Sequence, residues 1–504
     1  MWKNIKQKKI NFKGSAIVYA LVIMAVVLIL LTSIIRYVAS QMKFSANRVE
    51  KERAFQVAEA GVYYYRWYLA HETAGMTTQQ LGTFWATALG VGGADEVEYK
   101  DPETGEGIGH YKIEVTIPNP SSTIAIAKVT GWTDKAPATK RIVQVRFRRP
   151  SWSEYMFLVD AFVNFGTGSE VFGKVHSNIG VRFDGIAHDS VTSLVPSFDD
   201  PTHSDHNLEF GVHTHRNIPP ATGVNDSFRP QEAPPNTVSN RSGPGDAFQG
   251  GRQFPVSVGG FNDVLTDLDN MEDVANGESL GGGQSGTFGG GDTYGRRIIL
   301  KPDGYFDICR VRLYDTATLA IASTNGYRNN ANNGNCSSCS GSCLSTYPIP
   351  NNGVIFVKNN VWVEGTVNNR RVTIVSSNLN SALSNIYLGI NNLLYTITTG
   401  TNPDTIGLVA RSHVQIIRNC QSDLVIDGAL LAQSGKVWRS NYSDSKSKLV
   451  INGAIASFLQ TGFNYGSSYG FNTRQYNFDK NLVDFPPPYF PTKTEYAIDL
   501  WEEI

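Results

Sequence analysis

Cys336, Cys339 and Cys343, spaced C-x-x-C-x-x-x-C, end the segment "NGYRNNANNGNCSSCSGSC" and are the side chains most readily given to chemistry. Thiolates so spaced resemble part of a zinc site, but zinc takes four ligands, usually as two pairs, and the fourth would have to be Cys309, Cys420 or a histidine. Disulfide stapling is the better reading, because a loop of Asn, Gly and Ser cannot hold itself together by burying apolar surface. The chain has five cysteines, an odd number, so at least one thiol stays unpaired or pairs elsewhere. His203, His206, His213 and His215 form a second cluster, in which "HTH" offers His213 and His215 to one face of a strand, as a surface metal site would. The plainer reading is a solvated polar loop.

His176 stands beside Ser177 in "KVHSN", but no neighbouring acid would orient the ring and no oxyanion site is evident, so a corner residue is expected there. Glycoside chemistry would need two carboxyls about 5 to 10 Å apart on a groove. Asp184, Asp189, Asp199 and Asp200 are instead scattered through turns. No catalysis, cofactor or resident metal is expected.

The scaffold that carries these residues is expected to be mostly strands. A chain of 504 residues exceeds the roughly 250 to 300 at which one core stops growing, so at least two folded units are expected. With 48 glycines, 22 tyrosines and 25 phenylalanines, the composition favours a turn-dense β protein. A net charge of −1, with no basic run after residue 13, offers nothing to nucleic acid.

Runs "YKIEVTI", "TIAIAKVTGW" and "RIVQVRFRR" alternate with period two between turn residues and predict a small antiparallel sheet within 95–150. Beyond it "VFGKVHS", "VEGTVNN", "IDGALLA" and "INGAIAS" share a pattern of apolar, any, Gly, any, apolar. The last two start 25 residues apart, close to one turn of a parallel β-solenoid. A solenoid-like region is therefore expected over 151–475. A Gly/Pro/Asn-rich excursion at 197–295, carrying the apolar helical stretch "VLTDLDNMEDV", and a Cys loop at 325–345 interrupt it. Residues 476–504 open on a proline run and are expected to be an extended surface tail.

Only the N-terminus reads as helix. Residues 15–35 are uncharged and follow five lysines and no acid, long enough to cross a hydrocarbon core of about 30 Å with the N-terminus in the cytoplasm and the rest outside. A signal peptide would have a shorter apolar region, and "VAS" at 38–40 is a weak cleavage site. After the span, Phe55, Ala58, Val62, Tyr65 and Leu69 recur at spacings of 3 and 4, and no Pro or Gly interrupts before Gly61. One helix is expected to run from the membrane (15–35) through an amphipathic stalk (36–72).

A basic leader ending in Gly14, an apolar helix starting at once, and "ERAFQVAEAGV" some forty residues on resemble the N-terminal region of type IV minor pilins of the PilX kind, which in turn are similar to the type II secretion pseudopilin GspK. The fifth residue after Gly14 is Tyr19, where major pilins carry an acid and these minor ones do not. The resemblance covers residues 1 to about 70. It implies a leader of residues 1–14, cleavage by a prepilin peptidase between Gly14 and Ser15, and partnership with other pilin subunits through the helix. It also implies passage from the inner or cytoplasmic membrane to a cell-surface filament. The expectation is an α+β minor pilin-like subunit whose large β head serves assembly, adhesion or a tip function toward an unknown surface ligand. The alternative is a membrane-anchored β-helix protein acting as adhesin or polysaccharide-active enzyme.

Overall fold

The computed structural model describes residues 15–504 apart from 74–75, 77, 93–94, 118–123, 205, 216–246, 259–260, 262–264, 290–293, 312, 322–326, 329–334, 337–344, 379–383, 401, 467 and 494–495. Helix α1, Ser15–Glu72, is a single helix of 58 residues, about 87 Å long at 1.5 Å per residue. Its first half is bare among the described residues: Leu21, Leu28 and Ile35 are all more than half exposed. From Ala54 onward one stripe, Ala54, Val57, Ala58, Val62, Tyr65 and Leu69, is fully buried. Phe55, at the edge of that stripe, is half-buried, with the Arg141 guanidinium over its ring.

The stripe lies on an antiparallel sheet of β1 (Asp95–Lys100), β2 (Gly107–Thr116), β3 (Ile124–Thr133), β4 (Arg141–Arg148) and the C-terminal strand Ala497–Glu503, in that spatial order. Helix and sheet come unusually close at Gly131 of β3. A Cβ there would stand 2.4 Å from the backbone nitrogen of Ala58 and 2.5 Å from the carbonyl oxygen of Ala54. Small residues on both sides let the backbone of the helix rest on the strand.

The C-terminal strand corrects the expectation of an extended tail over 476–504. The proline run, Pro486 to Pro488, does stay outside any strand, but the chain then turns back and pairs with β4. Charge complementarity helps to hold it. Arg146 donates to Asp499 at 2.8 and 3.0 Å, Arg148 to Asp499 at 2.7 Å, and Arg141 pairs with Glu503. Everything between Arg149 and Tyr496 is thereby an insertion between two neighbouring strands of one small sheet.

That insertion is a large β-rich region. Along one of its faces, strands pair in parallel in the order Thr287–Phe288, Val354–Val357, Arg371–Ser376, Thr405–Ala410, Asp423–Ala432, Ser445–Ser457, Phe157–Val159, Val175–Ser177, Val191–Ser193 and Arg252–Gln253. This is not the order of the chain. The strands of residues 157–253 stack onto the end of those of residues 287–457, so the chain enters in the middle and leaves at one end. It must then return to the other end, across nine strand spacings, about 43 Å at 4.8 Å each.

The return segment lies in the region expected to be an excursion, 197–295, and it covers the ladder. Val258, Phe261 and, from the helix Leu265–Asn276, Leu268, Met271 and Ala275 form one cluster with Leu158, Phe356, Val375, Val409, Leu431 and Ala456. The other side of the same strands faces the main core with Phe157, Ile374, Leu408, Leu430 and Ile455. Strands buried on both faces read as unbroken apolar runs, which is why "TIGLVA" shows no alternation.

The "IDGALLA" and "INGAIAS" motifs sit in register: Ile426 opposite Ile451, Asp427 opposite Asn452, Gly428 opposite Gly453. Both glycines have φ of +150°, and a Cβ on Gly453 would stand 2.0 Å from the carbonyl oxygen of Gly428. No other residue fits a corner stacked so tightly. Beside the glycines Asn477 donates to Asn452, and Asn452 to Asp427, each at 2.7 Å.

Candidate functional site

Two places on this scaffold have the makings of function: the bare half of α1 and a buried histidine cluster at the far end of the parallel ladder. Residues 15–35 carry no charge, and the most apolar window of the helix has none of its surface buried. Length and composition suit it to a membrane or to a bundle of like helices. The change from bare to packed comes near Glu50, whose carboxylate accepts a 2.6 Å hydrogen bond from Thr133 on β3 and pairs with Arg53 at 3.1 Å. From there to Glu72 the sheet holds the helix, and before it no described residue of the chain does. Gly14 lies outside the described residues. Ser15 is the first residue of the helix.

The histidine cluster is built on four short strands. Strand Ser197–Asp199 pairs antiparallel with Leu208–Phe210, and Val212–His213 pairs parallel with Val181–Phe183. The turn after Asp199 is fixed by Asp200, whose Oδ1 accepts from the Thr202 amide at 2.9 Å and the Thr202 hydroxyl at 2.8 Å. Its other oxygen, Oδ2, faces His213 Nε2 at 3.1 Å and His215 Nε2 at 3.7 Å. Asp200 and His213 are fully buried.

Burial alone would raise the Asp200 pKa, but the hydrogen bonds from His213 and Thr202 outweigh it and hold the carboxyl well below the usual range. Burial first, then the charges of Arg182 and His213, pull the His215 imidazole down to about 4, so it is neutral at physiological pH. His203 stacks on His215 with ring centroids 4.2 Å apart and bonds Glu209 at 3.0 Å. His206 stands apart on the surface, bonded to Asp199 at 3.0 Å.

The expected solvated loop is thus a buried cluster, and Asp200 is the member that reading the sequence missed. In the sequence it reads as one of several scattered turn acids. The hairpin that folds it back onto His213 and His215 leaves no local mark beyond "DDPTHSDH". Asp184 borders the same cluster, accepting from the His215 amide at 2.8 Å and from Arg182 at 2.8 Å.

The other candidate residues do not converge on chemistry. His176 is a fully buried corner residue whose Nδ1 meets the Thr192 hydroxyl at 2.8 Å and whose Nε2 meets the Asn178 side-chain oxygen at 3.0 Å. Ser177 donates instead to the Ala161 carbonyl at 2.8 Å, so ring and hydroxyl are not a nucleophile and base. Asp189 accepts from the amide of Ser190, a turn contact. Cys309, on strand Tyr305–Val311, is disulfide-bonded, and Cys420 is a buried free thiol. Cys336 lies in the short strand Asn335–Cys336, while Cys339 and Cys343 fall outside the described residues.

A cavity of about 630 Å³ opens where the last strands meet the first, between residues 460–466 and 164–169, with Arg182, Trp438, Tyr465 and Arg474 in its wall.

Against known proteins, no curated sequence matches this chain. Among solved structures it is similar to the competence-associated pilin ComZ from Thermus thermophilus, at 13% identity over 90% of this chain and 97% of that one, with a TM-score of 0.30. Residues 13–62 match the family described as PilX N-terminal. The N-terminal region of this chain is therefore that of a type IV minor pilin of the PilX kind.

Proposed function

We propose that the chain is a minor pilin-like subunit of a type IV pilus or a related filament, and that its role is structural rather than catalytic. In this reading a prepilin peptidase removes residues 1–14, Ser15 becomes the mature N-terminus, and the bare half of α1 leaves the inner or cytoplasmic membrane to pack among the helices of other pilin subunits. The observation that carries it is the PilX N-terminal match at 13–62 on a helix bare over residues 15–35 and held by a sheet from Ala54 onward. A lone membrane anchor needs no such rigid continuation.

The inserted β region is, in the same reading, a β-solenoid head presented at the filament tip or surface. The in-register stacking of Gly428 on Gly453 and the long parallel ladder support that architecture. Its size relative to the small pilin-like sheet favours a contact with something outside the filament, and the cavity between residues 460–466 and 164–169 offers a recess for it. The experiment is to shear filaments from cells and probe them for this chain. Recovery with the filaments supports the reading, and retention of the whole pool in the membrane refutes it.

A further inference from the structure

We propose that Asp200, His213 and His215 bind one divalent transition-metal ion of the zinc class, with water in the fourth position. The three side chains bring one ligand atom each within 4.8 Å of one another. Tetrahedral zinc with bonds of about 2.0 to 2.1 Å sets its ligands about 3.3 Å apart. The 3.1 Å from Asp200 Oδ2 to His213 Nε2 and the 3.7 Å to His215 Nε2 bracket that edge. At 3.7 Å the second contact is too long to be a hydrogen bond.

The polar accounting at the site points the same way. His215 Nε2 is buried with no hydrogen-bond partner among the described residues. Buried polar atoms without a partner are rare in folded proteins and call for an explanation, an ion among them. A cation beside Asp200 Oδ2 would take up the lone pair of His215 Nε2.

Outer contacts hold the ligands in place. Asp200 is fixed through Thr202, and the His215 backbone is fixed through Asp184. His215 Nδ1 faces His203 Nε2 at 3.4 Å, and His203 is tied to Glu209. Such partners orient metal-binding imidazoles in general. Among the described residues around the cluster, the carboxylates of Asp184, Asp200 and Glu209 stand against the guanidiniums of Arg182, paired with Asp184, and Arg252, which donates to the Val212 carbonyl at 3.0 Å, so the acids are in excess by one. Imidazole and carboxylate donors suit zinc and its neighbours better than calcium or magnesium, which prefer all-oxygen shells. The ion would tie the 197–210 hairpin to the strand Val212–His213.

The test uses the full chain in detergent, stripped with a chelator and titrated with zinc against a colorimetric competitor. One zinc per chain is expected. His215→Ala should weaken binding by about 100-fold or more, and Asp200→Asn, which keeps the shape of the turn, should weaken it as well. His206→Ala, at a surface histidine outside the cluster, should bind like the parent. Cobalt(II) should give the visible absorption of a tetrahedral site in the parent and lose it in His215→Ala, with protease resistance of the head unchanged. No stoichiometric zinc, or zinc retained unchanged in both His215→Ala and Asp200→Asn, overturns the assignment. Zinc released by alkylating the thiols would also overturn it, since it would belong to the cysteines.

Discussion

Substituting Gly131 by alanine probes the joint that makes helix and head one body. The added methyl would stand 2.4 Å from the nitrogen of Ala58 and 2.5 Å from the oxygen of Ala54, both backbone atoms of α1 that no rotamer change can move aside. Carbon and nitrogen pack at about 3.5 Å, so the helix would have to lift by about 1 Å along β3. Overpacking of this kind costs about 1 to 3 kcal/mol. The cost should fall on the small sheet and the stalk, because Val62, Tyr65, Ile113, Val129 and Val145 share one buried cluster, separate from those of the inserted region. Amide hydrogen exchange reads such a local loss: backbone amides of β3 and β4 should exchange about 5-fold to 150-fold faster, while those of Thr405–Ala410 stay as they were. Gly82→Ala, in the short helix Thr78–Trp85, is the matched control, since a Cβ there meets nothing within 4 Å and alanine favours that helix. Unchanged protection of β3 in Gly131→Ala would refute the close approach and the role of small residues in it.

Val62→Asp should unfold the small sheet, since it buries a carboxylate with no partner against the roughly 5 to 15 kcal/mol by which folded proteins are stable, and protease digestion of the head reads it. Ala20 and Val27 lie in the bare half of the helix, so polar substitutions there should leave head folding intact and reduce recovery in sheared filaments. Non-reducing peptide mapping should join Cys309 to one of Cys336, Cys339 and Cys343, and Cys420 should resist alkylation until the chain unfolds, because burial pushes its thiol pKa up. Burial holds His176 down to about 4, below the roughly 6.5 of an unfolded imidazole. The unfolded state therefore takes up the proton first, and stability present above pH 6.5 is lost between about pH 6.5 and 4, by up to about 3 kcal/mol. Denaturant midpoints across that window should rise in His176→Gln relative to the parent at the acid end.

What depends on local spacing is legible in the sequence. The Phe55, Ala58, Val62, Tyr65, Leu69 stripe needs only the 3.6-residue period, and it marks the buried face of α1. The two IDG and ING motifs stack because a 25-residue interval returns the chain to the same corner. What stayed hidden depends on which strands become neighbours. That Phe157–Val159 follows Ser445–Ser457 in the ladder is written in no local pattern, and neither is the need for residues 254–286 to run back over it. "VLTDLDNMEDV" shows an apolar helix face, but its partner, the outer side of strands such as Thr405–Ala410, is defined only once those strands are stacked. The closing strand was masked by the prolines ahead of it, although "AIDLWEE" is acidic where "RIVQVRFRR" is basic. Asp200 joined the histidines only through a hairpin whose pairing is tertiary.

The central claim is that α1 serves a filament after its leader is removed, and the mature N-terminus of the chain recovered in sheared filaments tests it most directly. The account predicts a chain that begins at Ser15 and co-purifies with the filaments. A chain beginning at Met1, one beginning near Gln41, or one absent from the filaments altogether would contradict it.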